Sequence, residues 1–125
     1  MQDFRNLKVW EKAHLVAIEI YRVAESFPRA PGLALTSQLR RSALSVATNI
    51  AEGAGRDGRA EFGRFLQIAL GSASETQYHL QVARDLDLID AATHAGLSAR
   101  VSEVRRMLTG LLKRVAPRTE PPRTK

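Results

Sequence analysis

The chain has 125 residues, enough for one domain with a single core. Its 44% apolar and 26% charged content is that of a soluble globular protein, and the lack of cysteine excludes disulfides and Cys-based zinc sites. The net charge of +6 sits in the last quarter: residues 1–96 hold eleven Lys/Arg against eleven Asp/Glu, and residues 97–125 hold eight against two. Such asymmetry points to an anionic partner, with plain solubility as the alternative. The opening MQDFRNLKVW lacks the basic-then-apolar layout of a signal peptide. The longest strictly apolar runs, such as Leu15 to Ile18, fall far short of a membrane span. A cytoplasmic protein without a membrane segment is expected.

Nothing alternates with period two, so no strand is expected, and no solenoid repeat is visible. The first helix is predicted from Asp3 or Phe4 to Phe27, with Asp3 as N-cap. Val9, Ala13, Val16, Ile20, Val23 and Phe27 form one seam, and Leu7, Trp10, His14, Ala17, Tyr21 and Ala24 a second. Together they span an arc of roughly 220°. Pro28, Pro31 and Gly32 then break the chain.

A second helix is predicted over Leu33 to Ala54. Leu39, Ala43, Val46 and Ile50 face one way, while Gln38, Arg41, Ser45, Asn49 and Glu52 form a polar seam. The third helix should follow Asp57 as N-cap and reach Leu88, with Phe62, Leu66, Ala69, Ala73, Thr76, Leu80 and Ala83 as its seam. Gly71 lies in its middle, and a close helix–helix approach there would offset the cost of glycine. The fourth helix should follow Asp90 as N-cap and reach Val115, with Leu97, Val101, Val104, Leu108, Leu111 and Val115 inward. The sequence therefore predicts an all-α fold, an antiparallel up-down-up-down four-helix bundle over residues 1–115. Residues 116–125, basic and proline-rich, read as a disordered tail.

Folding about the turn near Arg56 places Arg41 and Ser42 opposite Gly71 to Glu75. Arg41 and Gln38 are then expected to reach Glu75, with Ser42, Ala43 and Ser45 against Gly71, Ser72 and Ala73. An Arg–Glu pair between helices reads as structural and fixes register.

Catalytic patterns are scarce. Glu11 and His14 match the Glu-x-x-His element of di-iron bundles, but no second copy exists, because Glu75 and His79 are four apart. No serine has a histidine at a readable position. AEGAGRDG is not a phosphate loop, since no strand precedes it and no Lys-Ser/Thr follows. No enzyme activity, metal or cofactor is expected.

Arg100, Arg105, Arg106, Lys113 and Arg114, continued by Arg118, form a basic side on the fourth helix. These cations can neutralise phosphates without reading bases; the alternative is a solvated face that complements the helix dipole. No aromatic interleaves them, so single-strand stacking is not indicated. The wide arc of the first helix predicts self-association: Val9, Val16, Ile20 and Val23 would form the oligomer interface, unless the fourth helix covers them.

The stretches FRNLKVWEKA (Phe4 to Ala13), LTSQLRRSALSVATNIAEG (Leu35 to Gly53), EFGRFLQIALGSASE (Glu61 to Glu75) and MLTGLL (Met107 to Leu112) resemble the small four helix bundle protein family. Its members are often encoded in intervening sequences of large-subunit ribosomal RNA genes. The resemblance implies an antiparallel four-helix bundle and a homopentameric ring, as in the related accessory protein of diversity-generating retroelements, a nucleic-acid-binding partner of a reverse transcriptase. It implies no established activity, and a gene inside an rRNA spacer does not make its product ribosomal. Two expectations follow: a non-enzymatic pentameric scaffold that binds structured RNA or DNA through phosphates, or a pentameric adaptor that docks a protein through the polar seam and the Asn49–Glu52 end of the second helix.

Overall fold

The structure is a computed structural model that describes residues 2–30 and 33–115. Four α-helices and one 3-10 turn make up its regular structure, with no strand among the described residues. The order is a 3-10 turn (Phe4–Asn6), α1 (Lys8–Ala24), α2 (Leu33–Ala54), α3 (Arg59–Asp85) and α4 (Ala91–Val115). The expected tail, 116–125, lies outside the described residues, as do Pro31 and Gly32 of the first predicted break.

The helix ends follow from local chemistry. Asp3 caps as expected, but it caps the 3-10 turn: its carboxylate accepts from the Arg5 amide at 3.0 Å. Leu7 is extended, at φ −89° and ψ 119°, and separates that turn from α1. Gly58, not Asp57, precedes α3, at a φ of 89° that favours glycine. The far end of α3 is a Schellman closure. The Leu88 amide donates to the Ala83 carbonyl at 2.9 Å and the Asp87 amide to the Arg84 carbonyl at 3.0 Å, with Asp87 at φ 60°. This closure ends α3 three residues before the expected Leu88. Asp90 caps α4, its carboxylate accepting from the Thr93 amide at 2.7 Å.

Each helix packs on two neighbours: α1 on α2 and α4, and α3 on α2 and α4, with the α2–α3 seam the most extensive. Ile20, Leu39, Ile50, Leu66, Leu80, Leu97, Val104 and Leu108 are fully buried between them. Each contributes about 1.5–3 kcal/mol by leaving water. Two contacts tie the segment before the 3-10 turn and the last turn of α1 to α2. The Gln2 amide donates to the Ala54 carbonyl at 2.9 Å. Arg40 donates to the Tyr21 carbonyl in the last turn of α1 at 2.9 Å, where a cation complements the helix dipole.

This arrangement corrects the expectation for the first helix. Val9, Val16 and Ile20 are buried inside a single bundle, and Val23 packs half-buried against the same core. Because α1 has a neighbour on two sides, α2 and α4 together cover its wide arc. The apolar side chains of α1 that stay exposed are Leu15 and Ile18, which belong to neither seam.

The close approach expected at Gly71 is found at Gly53 instead. A Cβ at Gly53 would lie 2.7 Å from the Phe65 Cβ, whereas at Gly71 it would meet nothing within 4 Å. Gly71 therefore carries the cost of a helix-interior glycine, about 1 kcal/mol relative to Ala, with no compensating Cβ-level contact among the described residues.

Candidate nucleic-acid interface

Two open grooves flank α4 near its C-terminal end. One, against the start of α1, is lined by Asn6, Leu7, Lys8, Val9, Arg106, Met107, Gly110, Leu111 and Arg114. The other, against α3, is lined by Leu70, Ser102, Arg105, Arg106, Thr109, Gly110 and Lys113. Arg106 and Gly110 line both. Among the described residues neither lining contains a carboxylate or an aromatic ring.

Local contacts set the positions of these cations. Gln77 on α3 donates to the Ser102 hydroxyl at 2.8 Å and the Ser98 carbonyl at 3.2 Å, and its own carbonyl oxygen accepts from Arg105 at 2.8 Å. The Arg105 guanidinium is thus held at the groove edge by a neutral partner. Arg59, at the start of α3, donates to the Val115 carbonyl at 3.1 Å and to the Arg114 carbonyl. It satisfies carbonyls that the helix end leaves unpaired and fixes the last turn of α4.

The predicted basic residues divide. Arg105, Arg106, Lys113 and Arg114 are exposed beside the grooves, and the structure adds Lys8 from α1. Arg100 lines neither groove and pairs with Glu19 of α1. One helical turn further, Lys12 pairs with Glu103 at 2.9 Å. The hydrogen bond and charge of Lys12 hold the Glu103 carboxyl below its ordinary value, with smaller help from Arg106 and Arg100. Arg118 lies outside the described residues. Lys8 carried no signal in the sequence, because only the packing of α1 on α4 brings it to the groove.

The polar seam of α2 is partly as expected. The Ser45 and Ser72 hydroxyls bond at 2.9 Å, Asn49 donates to the Ser45 carbonyl at 2.8 Å, and Thr76 donates to the Ser72 carbonyl at 2.8 Å. Gln38, Arg41 and Glu75 point to solvent, and the expected pairing with Glu75 does not form. Arg41 is one position, or 100°, away from Ser42, the residue that does face α3. Glu52 pairs locally with Arg56 at 3.3 Å.

Ser42 bonds to the Nδ1 of His79 at 3.0 Å, a partner the sequence did not disclose. Ser42 is 2% exposed, and its hydroxyl also lies 3.2 Å from the Leu39 carbonyl. Near the other end of α2, Phe4, Trp10, His14, Leu44, Asn49, Glu52 and Phe65 line an aromatic groove. His14 is stacked on Trp10 there, with ring centres 4.9 Å apart. Among the described residues no group of three or more His, Asp or Glu could hold a metal, and no helix is long and apolar enough to cross a membrane.

The family model of the 23S rRNA-intervening sequence protein matches residues 5–110. The chain belongs to that family. The match takes in α1, α2, α3 and most of α4, including Arg105 and Arg106, and ends at Gly110. The fold is also similar to the crystal structure of a protein of unknown function from the S23 ribosomal protein family of Bacteroides thetaiotaomicron. The two align with a TM-score of 0.77 and 26% identity, over 84% of this chain and 98% of that one. No curated protein matches this member of the 23S rRNA-intervening sequence protein family.

Proposed function

We propose that this chain is a non-catalytic, cytoplasmic scaffold that holds structured RNA or DNA by its phosphates, built as an antiparallel up-down-up-down bundle and assembled in a ring of five. Contact order supports the helix directions: Ser42 meets His79, Ser45 meets Ser72 and Gly53 meets Phe65, so rising positions on α2 meet falling positions on α3. The observation that carries the function is the pair of carboxylate-free grooves lined by Lys8, Arg105, Arg106, Lys113 and Arg114. Ions condensed on nucleic acid are released when such cations replace them, so binding is favoured at low salt. Five copies would raise the charge excess from +6 to +30, five times the single-chain value.

The ring uses a face other than the covered seam of α1. Leu44 on α2, which also lines the aromatic groove, and Ile68 on α3 are exposed, and a Cβ at Gly71 on α3 would meet nothing within 4 Å among the described residues. These positions on α2 and α3 are the ones offered to a neighbouring copy.

The test is fluorescence anisotropy with structured RNA and duplex DNA over a salt series. Affinity should fall linearly on a log–log plot, and Arg105→Gln and Arg106→Gln should each lower the slope by about 1. Absence of binding at low salt, or unchanged binding after both substitutions and removal of residues 116–125, defeats the reading.

The aromatic groove favours a second reading, a pentameric adaptor that docks a protein. A single protein recovered on the immobilised chain after nuclease treatment, lost in Trp10→Ala, would support it.

A further inference from the structure

We infer that a duplex backbone crosses α4 at Gly110, with phosphates held on either side of that residue; this rests on the nucleic-acid reading above. Gly110 lies inside α4, where glycine is a poor helix former, and among the described residues a Cβ there would meet nothing within 4 Å. The bundle itself therefore supplies no packing reason for its absence. A Cβ at Gly71 or Gly96 would likewise meet nothing within 4 Å among the described residues, but neither lines one of the two basic grooves. Gly110 lines both grooves and leaves a low saddle between them.

The cations sit on both sides of that saddle. Arg106 is one turn before Gly110, and Lys113 and Arg114 are one turn after it. Arg106 and Arg114 are about 12 Å apart along the axis, at 1.5 Å per residue. Arg114 belongs to the α1 side and Lys113 to the α3 side, so a strand passing over Gly110 meets positive charge before, during and after the crossing. With no ring in either lining to stack on a base, the site offers its contacts to a backbone whose bases are already paired. The Ser102 and Thr109 hydroxyls in the α3-side groove can reach a sugar or a phosphate.

The test fills the saddle without touching charge. Gly110→Leu, Gly110→Ala and the control Gly96→Leu are compared with the parent by anisotropy, using duplex RNA, duplex DNA and single strands of equal length. Thermal melts confirm folding of each variant. Gly110→Leu should weaken duplex binding by roughly tenfold or more, the scale of one or two lost phosphate contacts. Gly110→Ala should lose less, and Gly96→Leu should bind as the parent does. Equal affinity for the two duplexes assigns the contacts to phosphates, and tighter RNA binding adds the 2′-hydroxyl; either result supports the crossing. If Gly110→Leu binds like the parent while combined Arg105→Gln, Arg106→Gln, Lys113→Gln and Arg114→Gln abolishes binding, the crossing is wrong and the basic-face reading stands. Tighter binding of the single strand also overturns the crossing. A parent chain that binds no duplex at low salt removes both.

Discussion

At Gly53 the α2 backbone lies so close to α3 that a methyl group would overlap the Phe65 Cβ and crowd the Phe62 carbonyl, 3.3 Å away. Backbone cannot yield as a flexible side chain can, so overpacking outweighs the usual gain of alanine in a helix. Gly53→Ala should lower stability by about 1–3 kcal/mol in a denaturant titration. Gly71→Ala, in open space, should raise it by about 0.5–1 kcal/mol. The opposite signs test whether backbone contact at Gly53 or helix propensity governs these positions. Neither sign could be read from sequence. NIAEG and GSASE both place a glycine on a helix, and only the packing of α2 on α3 determines which one is confined. Ser42 and His79 make the same point: they are 37 positions apart, and their bond exists because two helices present them at one level.

The helices themselves were largely legible, because their ends are set by neighbouring residues. The bounds of α2 agree with the sequence reading, and Asp90 caps α4 as expected. The Asp90 carboxyl is held below its ordinary value of 3.8, first by the Thr93 amide and then by the Thr93 hydroxyl, despite some desolvation. A carboxyl depressed by folding adds stability above its unfolded value, and that stability is lost as pH falls through the folded value. Asp90→Ala should therefore lower Tm at neutral pH and flatten the Tm–pH profile below 3.8. An unchanged acid limb in a calorimetric pH series would show that the cap is not coupled to folding. The misplaced boundaries have equally local causes: the extended Leu7 splits the first helix, and the Schellman closure at Asp87 ends the third early.

For the whole molecule, assembly is the property most open to measurement. Multi-angle light scattering should give a mass near 69 kDa, five times the 13.8 kDa chain. Leu44→Glu combined with Ile68→Glu should reduce it towards one chain without loss of helicity, because both side chains are exposed in the single bundle. A folded 13.8 kDa species from the parent chain in dilute solution would eliminate the ring. It would leave the basic grooves intact, because each is built within one chain.

The residues by themselves determined the number of helices, the face each turns inward and the concentration of positive charge at the C-terminal end. These follow from helical periodicity and from counting. Tertiary structure decided what covers those faces and which charges remain unpaired. It enclosed the wide arc of α1 between α2 and α4, paired Arg100 with Glu19 and brought Lys8 beside Arg106. Periodicity fixes the direction of a side chain around its own axis, but the stagger and spacing of neighbouring helices decide what that side chain meets.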